Sequence, residues 1–234
     1  MKIKKIFKFL FTIFSSILFL ALTKIKFGPI LGTKMKFSFV AFFGPTLAKI
    51  FGIGYGTGII ILTNLIGLIA GVYKIKATKD YFTFLPIIFA GVYFSKIFRG
   101  NKKLIIIPLI CTLLFVINPI GKTVWFYSGF WLIPISLSLF KEKIDKVFKI
   151  PLFKIYGYSL ASAFVDHAVG SVIYLYLLKI PAHFWVEAIP MTMIERLMIA
   201  AGIELCYFAE LVIIKAFGEI PVLSKIKSFV FQEN

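Results

Sequence analysis

"ASAFVDHAVGSVIYLYLL", residues 161–178, reads as an apolar run of membrane-helix length interrupted by two ionisable side chains, Asp166 and His167. An α-helix needs about 20 apolar residues to cross a hydrocarbon layer of about 30 Å. Ionisable groups at that depth are rare and face a bundle interior or a water-filled cavity. What the pair does therefore depends on what surrounds the run.

Outward from it, the chain repeats the same apolar signature. Of 234 residues, 60% are hydrophobic and the mean hydropathy is +0.95, well above the roughly 45–50% apolar usage of soluble domains. Apolar blocks cover residues 6–22, 37–51, 54–73, 81–98, 104–117, 124–140, 156–178 and 192–217. The pattern predicts an all-α, polytopic integral membrane bundle of about six to eight transmembrane helices, forming one membrane-embedded domain over residues 1–234. The basic-then-apolar N-terminus lacks a small-x-small cleavage site, so an uncleaved first helix is expected.

A net charge of +17 belongs with the membrane interface here, and no nucleic-acid partner is expected. Most lysines lie between the apolar blocks, while most of the 28 phenylalanines lie inside them. Positive charge gathers on the N-terminus (Lys2, Lys4, Lys5, Lys8), on residues 141–155 and on the tail (Lys225, Lys227). With an even number of helices, all three fall on the cytoplasmic side of the cell membrane, with both termini inside. Lys24, Lys26, Lys34 and Lys36 in the loop 23–36 are the exception, since that loop would lie outside. Cys111 and Cys206 sit in apolar surroundings and read as small hydrophobes.

Three stretches carry polar groups of interest. "GPTLAKIFGIGYGTGIIILTNLIG", residues 44–67, has glycine at 52, 54, 56 and 58. Without a preceding strand it is read as a tight turn followed by a helix that lets a neighbour come close, not as a phosphate loop. Asn64 is the one amide on that helix, and it either hydrogen-bonds across helices or faces a ligand. The last apolar block holds Glu195, Arg196, Glu204 and Glu210. At about 100° per residue, Arg196 and Glu204 lie within about 80° of each other, and Glu195 is nearly opposite Glu204, so one face cannot hold all of them. Between these blocks, "KIPAHFWVEAIP", residues 179–190, reads as an interfacial loop with Trp185 as an aromatic anchor. His183 and Glu187 are four apart, a metal-like spacing only if this loop is helical, and a third ligand is missing. No cofactor is expected.

Asp166 and His167 point about 100° apart on one helix, so no more than one is expected to look straight into a cavity. Either both are satisfied inside the bundle, with Asp166 paired to Arg196, or they line a small-molecule pocket with Asn64 and the last helix. The candidate substrate-binding residues are thus Asn64, Asp166, His167, Glu195 and Arg196.

The segments "KIKFGPILGTKMKFSF" (24–39), "AFFGPTLAKIFG" (41–52), "IGYGTGIIILTNLIG" (53–67) and "AIPMTMIERLMIAAGIELCYF" (188–208) resemble a family. They are similar to the substrate-binding S component of energy-coupling factor (ECF) vitamin transporters, over about half the chain. The resemblance implies a membrane subunit that takes a small vitamin-like or cofactor-precursor molecule from outside, in a pocket beneath the loop after the first helix. It further implies a transmembrane T component and two cytosolic ATPases as partners, and a lysine-rich loop 23–36 that gates the pocket and favours an anionic substrate. Small residues Ser15, Ser16 and Ala21, and Ala161, Ser162 and Ala163, are candidate packing surfaces for the T component. Two other classes compete. One is an integral membrane enzyme using Asp166 and His167 with Glu195 or Glu204 on a lipid-soluble substrate. The other is a stand-alone secondary carrier with the acids as proton relays.

Overall fold

Helix breaks in this chain fall where proline, glycine and asparagine put them. The computed structural model describes residues 2–29, 36–72 and 81–219. Among them ten α-helices follow in order: α1 (Lys2–Lys24), α2 (Val40–Ile50), α3 (Ile53–Ile69), α4 (Leu85–Ile97), α5 (Ile106–Ile117), α6 (Pro119–Thr123), α7 (Leu132–Leu139), α8 (Lys141–Val147), α9 (Pro151–Leu178) and α10 (Ala182–Glu219). Gly52, at φ +85°, makes the turn between α2 and α3 in a conformation that side chains disfavour. Asn118 caps α6, its Oδ1 accepting from the backbone N–H of Ile120 and Gly121, with Pro119 in the first turn. Lys179, in the left-handed region at φ 49°, ends α9 and turns the chain back into α10.

Each of the eight apolar blocks contains helix. The block 124–140 divides into a 3₁₀ segment (Trp125–Trp131) and α7, and the lysine-rich residues that follow form α8 and open α9. A small antiparallel hairpin departs from a purely helical chain: β1 (Lys26–Pro29) pairs with β2 (Lys36–Ser38). Lys34 and the tail lysines Lys225 and Lys227 lie outside the described residues. The expected loop 179–190 is mostly helix, because α10 begins at Ala182 and runs through Pro190. Proline there withholds one N–H from the ladder, which apolar helices tolerate when neighbours re-satisfy the freed carbonyl. Trp185 is accordingly no interfacial anchor. It is buried, its indole N–H donating to the Ile180 carbonyl at 3.1 Å and its ring edge-on to Phe115 and Tyr127.

Two of the helices, α9 and residues Ala182–Ala216 of α10, are long and apolar enough to cross a membrane; the other apolar helices are shorter. They pack as an antiparallel pair, with α4 against α9 and α2 between α4 and α10. Large apolar side chains point outward on several helices, among them Ile13 and Ile17 on α1, Leu65 and Ile69 on α3, Leu113 and Ile117 on α5, and Leu205 and Val212 on α10. That surface fits a hydrocarbon solvent. In such a solvent the drive to hide apolar groups vanishes, and close contact plus hydrogen bonds must hold the helices together. Both devices are present. A Cβ on Gly202 of α10 would lie 2.4 Å from the Phe42 ring, and one on Gly56 of α3 would lie 2.4 Å from the Leu47 carbonyl oxygen. Gly54 and Gly58 face open space, so only Gly52 and Gly56 bear out the turn-and-close-approach reading of that stretch.

Hydrogen bonds tie α9 to its neighbours. Ser162 Oγ donates to the Ala90 carbonyl at 2.8 Å, and Ala161, Ser162 and Ala163 are wholly buried. These three are therefore internal packing, not a surface open to another subunit. In α1, Ser15 is buried too, while Ser16 is half-buried and Ala21 exposed. At the far end of α9, Tyr158 donates to Asp145, which also takes the Lys141 ammonium and so fastens α8 to α9.

Candidate functional site

Glu195, Arg196, Glu204 and Glu210 of α10 are all buried, and the first two are adjacent. Arg196 is 1% exposed, and its Nη1 donates to Asp166 Oδ2 on α9 at 3.0 Å. Nη1 also reaches the Ala163 carbonyl at 3.5 Å, and Nη2 lies 3.8 Å from Glu195 Oε2. Phe37 of β2 covers the guanidinium, with its ring centroid 4.8 Å away. Nε and Nη2 are buried and make no hydrogen bond. Buried donors in that condition are uncommon.

His167 meets a different set of groups. The Trp131 indole N–H donates to its Nδ1 at 3.2 Å, and its Nε2 is 2.9 Å from Tyr127 Oη. Tyr127 Oη is in turn 2.9 Å from Thr192 Oγ1 on α10. Rings of Tyr127, Phe130, Trp131 and Phe164 surround the imidazole at 5.4–6.3 Å between centroids.

Between these two networks lies a cavity of about 370 Å³, bounded by both Asp166 and His167. The expectation that no more than one of them faces a cavity is thereby corrected. Side chains about 100° apart on α9 both border the same space, because the cavity spans from α10 to the 3₁₀ residue Tyr127. Asn64, Glu195 and Arg196 border it as well, so all five sequence candidates converge on one cavity. Asn64 Nδ2 donates to the Ile60 carbonyl one turn back at 2.7 Å. From the hairpin strands, Lys26, Lys36, Phe37 and Ser38 join the cavity lining. Burial, and then the neighbouring charge of Lys24, pulls the Lys26 ammonium below the ordinary lysine range.

Glu204 and Glu210 are buried elsewhere on α10, outside the cavity lining. His183 and Glu187 do fall on one helix face, but both are exposed, and His183 stacks on Phe184 at 4.2 Å. Among the described residues, no cluster of three or more His, Cys, Asp or Glu is placed to hold a metal ion.

Sequence reasoning missed Tyr127, Trp131, Thr192 and Trp185. Thr192 carried a usable signal, because it lies three and four residues before Glu195 and Arg196, on the same helix face. Tyr127 and Trp131 carried none, since they belong to a 3₁₀ segment without amphipathic periodicity.

The cavity can hold a small molecule between a charged end and an aromatic, hydrogen-bonding end. Its wall brings together the Asp166–Arg196 and Glu195–Arg196 ion pairs and the Tyr127–His167 hydrogen bond. No known protein family, characterised protein or solved structure gives a match to this chain.

Proposed function

We propose that this chain is a multi-pass membrane protein that binds a small molecule, and that it serves as the substrate-binding subunit of a transporter. The observation that carries this reading is the cavity of about 370 Å³, walled by a buried arginine with two donors that make no hydrogen bond. Sites for small ligands are largely apolar hollows with a few convergent polar groups, and burying Asp166, Glu195 and Arg196 together is hard to explain by stability alone.

The cavity lies toward the Tyr174 end of α9, opposite the lysine-rich α8 corner. With α8 on the cytoplasmic side, the hairpin and cavity face outward, which suits uptake from outside. The shorter apolar helices complete the membrane domain by tilting or by local thinning of the bilayer. The resemblance to ECF S components supplies the remaining elements: a vitamin-like or cofactor-precursor substrate, and energy from a T component with two cytosolic ATPases.

The test is purification of the tagged chain from membranes in mild detergent, followed by extraction and mass spectrometry of bound small molecules. A stoichiometric water-soluble organic ligand is expected, retained by wild type and lost on Asp166→Asn combined with His167→Ala, with the fold kept. Empty protein that binds no member of a vitamin and nucleobase panel, with no co-purifying ATPase subunits, would refute the proposal.

A further inference from the structure

Counting protons in the cavity wall gives it a direction, and we propose that this direction makes the cavity a receptor for a carboxylate. The inference rests on the ligand-binding reading above and names the chemical class of the ligand. An indole N–H can only donate. Trp131 Nε1 therefore requires His167 Nδ1 to be an acceptor, which excludes both the imidazolium and the Nδ1–H tautomer. The ring proton sits on Nε2 and is donated to Tyr127 Oη.

Tyr127 and Thr192 have one hydroxyl proton each, and the bond between them uses one of the two. Whichever way that bond runs, one O–H is left over. Both residues border the cavity, so the spare donor is offered to whatever fills it. Arg196 follows Thr192 by four residues, which places it one turn along the same face. Its Nε and Nη2 are the other unspent donors. The charged side chains lining the cavity are Lys26, Lys36 and Arg196 against Asp166 and Glu195, an excess of one positive charge that a monoanion neutralises.

A carboxylate brings acceptors only and a negative charge, so it takes the spare hydroxyl in a charge-assisted bond and balances the positive excess of the lining. The matching primary amide can accept from the same hydroxyl but brings no charge, so that bond is weaker and the positive excess of the lining stays unbalanced. The site should therefore prefer an acid to its own amide. Trp131 does not line the cavity, yet it sets this preference. Without its N–H the imidazole is free to carry its proton on Nδ1 and to accept from Tyr127. Tyr127 then accepts from Thr192, and no spare proton remains.

The experiment uses the full chain in lipid nanodiscs and three matched pairs: benzoate and benzamide, nicotinate and nicotinamide, indole-3-acetate and indole-3-acetamide. Each acid is expected to bind at least tenfold more tightly than its amide, and Trp131→Phe to shrink that ratio at least threefold. The relay is read independently by ¹⁵N NMR of His167. The chain has two histidines, so His183→Gln leaves one signal set, expected to report a protonated Nε2 and a bare Nδ1. This reading needs no variant at Trp131, should that substitution prevent folding. Amides binding as well as acids, or an Nδ1–H or doubly protonated His167, would overturn the carboxylate assignment while leaving the ligand-binding reading intact. If no acid and no amide binds, both fall together.

Discussion

Replacing Arg196 by leucine should be among the most damaging single changes in this protein, and most of the damage should be reversible by a second change. The guanidinium is 1% exposed, and its Nη1 lies 3.0 Å from Asp166 Oδ2. Two unit charges about 4 Å apart interact by about 4 kcal/mol at an effective dielectric constant of about 20. Removing the cation takes from Asp166 and Glu195 the guanidinium that lies beside both. Breaking a buried pair from one side destabilises by about 3–5 kcal/mol, whereas replacing both partners by apolar groups is often neutral. Arg196→Leu should therefore lose about 3–5 kcal/mol, and Arg196→Leu with Asp166→Leu should recover most of it. Equilibrium unfolding in mixed micelles, followed by tryptophan fluorescence, measures both, and the double-mutant cycle isolates the coupling. A single variant within about 1 kcal/mol of wild type, or a double variant no better than the single, would refute the reasoning.

Other consequences are equally open to test. Gly202→Ala places a Cβ 2.4 Å from the Phe42 ring, so it should destabilise by about 1–3 kcal/mol, and Phe42→Leu in the same chain should restore most of the loss in thermal unfolding. Burial alone would raise the Asp145 carboxyl, but hydrogen bonds from Lys141 and Tyr158, with the charges of Lys141 and Lys154, outweigh it and hold the group below the ordinary range. The stabilisation is thus fully present above the ordinary aspartate value of about 3.9 and is lost as pH falls through the lowered one. The difference in melting temperature between wild type and Asp145→Asn should accordingly stay constant from about pH 6 to 8 and shrink below about pH 4. In a background of Cys111→Ala and Cys206→Ala, Lys26→Cys should react with an impermeant maleimide added outside cells, and Lys143→Cys only after the membrane is opened. The opposite pattern would invert the orientation.

How far the sequence speaks depends on the kind of information each residue carries. Periodicity reports direction around a helix axis, which is why Glu195 and Glu204 separate in the structure as their spacing requires. It does not report where two helices meet. The Asp166–Arg196 contact was one of two open readings from the sequence, and distance decided it. Asp166 and His167 fan about 100° apart on α9, yet both border one cavity, because an angle around one helix does not report the width of the space beside it. Pro190 reads locally as the end of a loop, while the neighbours of α10 keep the helix running through it. His167 looked like a charge in oil, but the indole of Trp131 keeps it neutral, and that indole sits 36 residues away in a segment with no periodic signature.

The close-packed glycines also set what variation this chain can accept. At Gly202 the obstacle is a side chain, so a larger residue there becomes admissible once position 42 shrinks, and the two positions should change as a pair in related sequences. At Gly56 the obstacle is the Leu47 carbonyl, which every residue type carries. No substitution elsewhere can clear that space, so position 56 should stay glycine however far the rest of the bundle drifts. The first position records a choice between two partners, and the second a limit set by the backbone itself.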